Sequence, residues 1–151
     1  DIHIEAICQF ADAELLADLV GRHDLVLDCT DNLVIRQQIS DACVQAKTPL
    51  ISAAAIRFEG QLCCFRNNGS GPCYRCVSSL FGEQQLTCLE AGIFAPVVGV
   101  IGVQQALWAM LWLSGAQDLP WHQLRIFDAL QSQWQSFGIM KQQHCCCDKT
   151  T

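Results

Sequence analysis

The nine residues Asp24-Leu-Val-Leu-Asp-Cys-Thr-Asp-Asn32 constrain this fold more than any other stretch. Leu25 to Leu27 and Cys29 form a short apolar run, interrupted by one acid, Asp28. Thr30-Asp31-Asn32 closes it, and an apolar pattern of helical spacing begins at once. A short apolar run ended by polar residues reads as a buried parallel strand, because such strands are covered on both faces. Asp31 or Asn32 then suits the N-cap of the helix, its side-chain oxygen accepting a backbone N–H that the first turn leaves unpaired. Ligands of open α/β sheets gather at the carboxyl ends of strands. Asp28, Asp31 and Asn32 therefore mark a candidate site. They equally fit a plain strand-to-helix turn with a capping acid.

The rest of the chain reads as an α/β domain around that strand. Ile2 and Ile4 alternate with polar neighbours and predict a short strand. Asp12 predicts a cap for a helix over 13–20, with Gly21 as its stop. Strand 25–29 follows, and a strand–helix–strand unit normally crosses over right-handed and parallel. A second helix is predicted over 33–46, with Ile35, Ile39, Ala42, Cys43 and Ala46 on one face. Residues 50–56 read as a second buried strand, Glu59-Gly60 as a turn and 61–66 as a returning strand, which makes the sheet mixed. Residues 91–113 are mostly apolar and long enough to resemble a membrane span. Gln104 and Gln105 interrupt them, and Pro96 suits a first helical turn. The expectation is a buried helix over 96–113, with Gly99 and Gly102 allowing close approach to another backbone. Two further strands, 123–129 and 133–140, form an expected hairpin.

The 151 residues are 51% hydrophobic and 16% charged, enough for one domain with a real core. A net charge of -6 without a basic stripe argues against nucleic acid as a partner. Eleven cysteines, an odd count, and no signal-peptide pattern fit a cytoplasmic protein better than a secreted disulfide scaffold. The chain opens on Asp-Ile-His-Ile without a Met, as though cut from something longer.

Cys73-Tyr-Arg-Cys76 follows a loop of Asn, Gly and Pro, and Cys145-Cys-Cys147 lies in the tail. Structural zinc takes four ligands, commonly two pairs on separate segments. The tail pair can be read as Cys145 with Cys147, His144 with Cys147, or Cys145 with Asp148. A redox C-x-x-C pair is the other reading, and it predicts a reversible Cys73–Cys76 disulfide without metal. Cys88 lies in Leu86-Thr-Cys-Leu-Glu-Ala-Gly92, where a helix end or nearby positive charge would make it a nucleophile. A buried structural thiol is the plainer alternative. Arg36 and Arg57 suit an anionic ligand near the strand ends, or a solvated surface.

The stretches DLVLDCTDN (24–32), AAIRFEGQ (54–61), PCYRC (72–76), LFGE (80–83), LTCLEAG (86–92) and APVVGVIG (95–102) together resemble the ThiF/MoeB/HesA family, in family order. The resemblance implies a Rossmann-like α/β fold with a mixed sheet, here a single domain over 1–151. It implies an enzyme, an adenylyltransferase that uses ATP and magnesium to activate the C-terminal glycine of a ubiquitin-like sulfur carrier of MoaD or ThiS type, and a homodimer. It implies that Asp31, with Asn32 beside it, contacts the magnesium–ATP group. It also implies that Cys73 and Cys76 are half of a four-cysteine structural zinc site stapling loop 72–76 to tail 144–148. Cys88 matches a loop cysteine that in some members forms a covalent adduct with the activated carrier. Ungapped matching puts Cys145 third and Asp148 fourth; we take Cys147 as the substitute fourth ligand. No glycine-rich nucleotide loop precedes Asp24, so the chain is expected to be the C-terminal part of a member, lacking the N-terminal nucleotide-binding part and inactive by itself. The alternative is a non-enzymatic zinc-stabilised scaffold or carrier-binding module.

Overall fold

A computed structural model describes residues 1–81, 91–145 and 147. Helix α1 (Ala13–Gly21) leads into strand β1 (Val26–Asp28), helix α2 (Leu33–Ala46) and strand β2 (Leu50–Ile56). Strand β3 (Glu59–Phe65), helix α3 (Tyr74–Ser78) and a 3-10 turn (Ser79–Phe81) follow. Helix α4 (Ala95–Leu113) then precedes strands β4 (Gln123–Asp128) and β5 (Gln133–Gly138). The five strands lie in the order β1-β2-β3-β4-β5. Among the described strands β1 and β2 pair in parallel, and the other three pairings are antiparallel. The expected mixed α/β sheet is the observed one.

Alternation along the strands sorts the core into two layers, because successive side chains of a strand point to opposite faces. Leu50, Cys63, Phe65 and Leu124 face α1, α2 and α3, packing with Leu16, Val20, Ile39 and Cys43. Ile51, Leu62 and Cys64 face α4, packing with Val97, Ile101, Trp108 and Ala109. Burial on both sides explains why β2, and Leu62 to Phe65 in β3, read as nearly unbroken apolar runs.

Four local expectations are corrected. Ile2 and Ile4 form no strand and stand exposed, since residues 1–10 have no ladder partner among the described residues. Ile56 pairs with Glu59, so the hairpin turn is Arg57-Phe58 and Gly60 lies inside β3. Gly60 is also where helix and sheet approach: a Cβ there would stand 2.3 Å from Ile101 Cγ1, whereas Gly99 and Gly102 meet nothing within 4 Å. Finally, α4 is buried only along Val97, Ile101, Gln105, Trp108 and Ala109, because one sheet covers one face. Val100, Val103, Leu107, Met110 and Leu113 point away from it and are exposed. By length and composition alone α4 is apolar enough to cross a membrane, yet its inner face packs on β2 and β3.

Candidate functional site

The carboxyl ends of β1 and β2 carry a polar cluster that begins with Asp28. Its side chain is wholly buried and register places it opposite Ser52. A buried carboxylate needs a counter-charge and hydrogen bonds to offset lost hydration. Arg36, from the second turn of α2, supplies the charge, with NH1 3.7 Å from Asp28 Oδ2. Ser52 Oγ donates to Oδ2 at 2.8 Å; the Thr30 amide and hydroxyl donate to Oδ1 at 3.0 and 2.7 Å. Arg36 NH2 donates to the Thr30 carbonyl. From the other face, buried Gln105 of α4 donates through Nε2 to the carbonyls of Asp28 (3.0 Å) and Ile51 (2.9 Å).

Asp31 follows this braced turn and is exposed. It lines two openings. The larger, about 530 Å³, has Ala54, Ile56 and Gln61 on its floor, with Tyr74, Phe81, Arg57 and Asp128 among its walls. The smaller, about 170 Å³, lies toward α4, between Cys29, Ile93, Val98 and Ile101. Arg36 lines both. Arg36 is buried and paired with Asp28, while Arg57 is exposed and has a left-handed backbone (φ 51°). Asn32 does the capping, its Oδ1 accepting the Ile35 amide at 3.0 Å, and lines neither opening. Cys29 lies beyond the end of β1 and is exposed rather than buried in the strand. Partial burial and the neighbouring Asp28 charge push its thiol pKa up, and Sγ donates to Gln105 Oε1.

The second assembly is the thiol knuckle. Cys73 caps the five-residue α3, Cys76 lies within it, and the tail returns Cys145 and Cys147. The four sulfur atoms lie within 4.8 Å of one another. Cys73 Sγ stands 3.5 Å from Cys145 Sγ, and Cys76 Sγ 3.8 Å from Cys147 Sγ. Zinc–sulfur bonds of about 2.3 Å in a tetrahedron imply sulfur–sulfur edges of about 3.8 Å, so the donor set fits such an ion. Burial pushes Cys73 and Cys147 up. Cys145 resists its own partial burial and falls to about 7, through hydrogen bonds from the Cys147 backbone and the surrounding thiols. The sulfurs gather without His144, which is exposed. Asp148 and Cys88 lie outside the described residues. Arg75, between the two knuckle cysteines, grips Asp41 of α2 with Nε and NH2 at 2.7 and 2.6 Å and Gln37 at 3.1 Å. A single helix thus supports both the knuckle and the turn at Asp31.

Reasoning from sequence missed Ser52 and Gln105. Asp28, alone in an apolar strand, already signalled a buried partner. Gln105 figured there only as a polar interruption, and its helical register with Val97, Ile101 and Trp108 was the signal that it faces the sheet.

The chain is thus an α/β domain with an exposed acid at the carboxyl edge of its parallel strands and four thiols gathered at a spacing that could hold a metal ion. The sequence matches the ThiF family over residues 1–149, and the chain belongs to that family. It is 48% identical over 134 residues to the molybdopterin-synthase adenylyltransferase of Escherichia coli K12, covering 89% of this chain and 53% of that protein. It is 44% identical over 145 residues to the sulfur carrier protein ThiS adenylyltransferase of the same organism, covering 96% and 57%. The chain thus spans about half the length of these relatives. A crystal structure of E. coli MccB with ATP matches the fold with a TM-score of 0.71 at 16% identity, over 93% of this chain and 43% of that one.

Proposed function

We propose that this single-domain chain is the C-terminal part of an adenylyltransferase that activates the terminal glycine of a ubiquitin-like sulfur carrier of MoaD or ThiS type. In that reaction the carrier carboxylate attacks the α-phosphorus of ATP and pyrophosphate leaves. The observation that carries the reading is Asp31, exposed between two openings at the strand ends of a ThiF-family chain. A hard carboxylate there suits magnesium, which would neutralise phosphate charge. Asn32 would contribute by holding the helix start on which Asp31 depends. Cys73, Cys76, Cys145 and Cys147 would hold a structural zinc that fastens the tail. Cys88 would be the nucleophile toward the activated carrier. The exposed apolar stripe of α4, from Val100 to Leu113, suits a second copy of the chain, and the working protein would be a soluble, cytoplasmic homodimer.

The test joins this chain to the N-terminal half of the E. coli molybdopterin-synthase adenylyltransferase and measures carrier-dependent exchange of labelled pyrophosphate into ATP. Exchange is expected, and Asp31→Ala should abolish it. A folded, zinc-loaded chimaera without exchange would favour the scaffold or carrier-binding reading instead.

A further inference from the structure

We infer that Arg36 is a positioning residue: its guanidinium, paired with Asp28, holds the Thr30 carbonyl and thereby fixes where the Asp31 carboxylate stands between the two openings. The role of Asp31 rests on the function proposed above; the placement of Asp31 does not. Thr30 is held on every polar group it has. Its amide and hydroxyl donate to Asp28 Oδ1, and its carbonyl accepts from Arg36 NH2. No ladder bond can do this work, because β1 ends at Asp28. The next residue is Asp31, and Asn32 then caps α2, which carries Arg36 itself four residues on. The turn is therefore a closed loop: strand end, Thr30, cap, helix, and back through the guanidinium.

A planar fork can reach the Thr30 carbonyl, Ser52 Oγ (3.5 Å) and Asp28 together. A lysine ammonium keeps the charge opposite Asp28 but is a single point on a flexible stem and loses the fork. Charge balance and positioning can thus be separated. If Arg36 only neutralised Asp28, Arg36→Lys would be nearly silent at Asp31.

The experiment uses the 151-residue chain, with residue-resolved amide exchange and broadening by manganese(II) chloride alone. In Arg36→Lys, exchange at the Thr30 amide should quicken by about tenfold or more, while amides in the body of α2 and in β2 stay within roughly twofold. Broadening centred on Asp31 should then need about threefold more manganese or spread over neighbours. Ser52→Ala keeps the fork and removes one bond to Asp28, so Thr30 exchange should rise about threefold; this variant decides the matter if Arg36→Lys fails to fold. Unchanged Thr30 exchange in the folded variants, or a uniform rise across α2 and β2, would overturn the inference. Failure of manganese to broaden Asp31 in the unsubstituted chain would instead count against the metal role of Asp31, and the exchange arm would still judge Arg36.

Discussion

The thiol knuckle and the carboxyl-edge cleft rest on one helix, α2, and differ in how much of each this chain supplies. The knuckle is whole: four sulfur atoms from two segments some 70 residues apart in sequence converge to metal-ligand spacing, and Arg75 ties them to Asp41. The cleft has a braced acid and is lined by strand residues Ala54, Ile56 and Gln61, but residues 1–25 hold no glycine-rich turn of the kind that cradles phosphates. A metal clasp stabilises by closing a long loop around one ion, so it needs nothing from elsewhere. A triphosphate site needs backbone N–H groups and cations to offset several negative charges. The two regions should therefore answer very differently to their ligands.

The largest effect is expected at the knuckle. Protein purified without chelator should carry one zinc per chain by metal analysis. Cys73→Ser should lose it and lower the thermal midpoint by about 10 °C or more. Full folding with a metal content near zero would remove the contrast between a complete and an incomplete site. Next comes the brace. Asp28→Ala leaves the Arg36 charge buried without its partner, at a cost of about 3–5 kcal/mol in urea unfolding. A cost below about 1 kcal/mol would mean that the pair is not desolvated as its burial implies.

A smaller effect separates the two faces of α4. Gly60→Ala drives a Cβ into Ile101 and should cost about 1–3 kcal/mol. Gly102→Ala meets open space within a helix and should stabilise the single chain by up to about 1 kcal/mol. Loss of stability at Gly102 would place another chain against that face. The smallest effect is kinetic. Burial pushes the Cys43 thiol up to about 12, with Asp28 adding to it. At pH 8 its thiolate fraction is minute and grows only as pH climbs toward that value, so Cys43 should resist alkylation while Cys88 labels first. Mass-spectrometric mapping at timed intervals checks the order, and equal labelling of the two would remove the case for Cys88 as nucleophile.

The strands and helices were legible wherever a single period dominates. The apolar run before Thr30, the 3.6-residue spacing in α2 and the small-residue run of β2 marked their elements to within a residue or two. The hairpin turn was misplaced because Glu59-Gly60 has turn chemistry, whereas Gly60 is there to admit Ile101. That need arises only once α4 lies on the sheet. The exposed half of α4 was hidden for a related reason: an apolar composition does not say how many faces are covered. At the site, Asp31 and the two thiol clusters stood out as local motifs. Ser52 and Gln105 did not, since their partners lie 24 and 77 residues away in sequence and meet them only in the fold.

The central proposal is that Asp31 belongs to a nucleotide site and that residues 1–151 by themselves do not hold the phosphates. Titration calorimetry of magnesium–ATP into the 151-residue chain tests it most directly. Asp31 without phosphate donors, in a chain of net charge -6, should give a Kd no tighter than about 1 mM. A micromolar Kd would contradict the account and show that the nucleotide is held by residues other than those assigned to it.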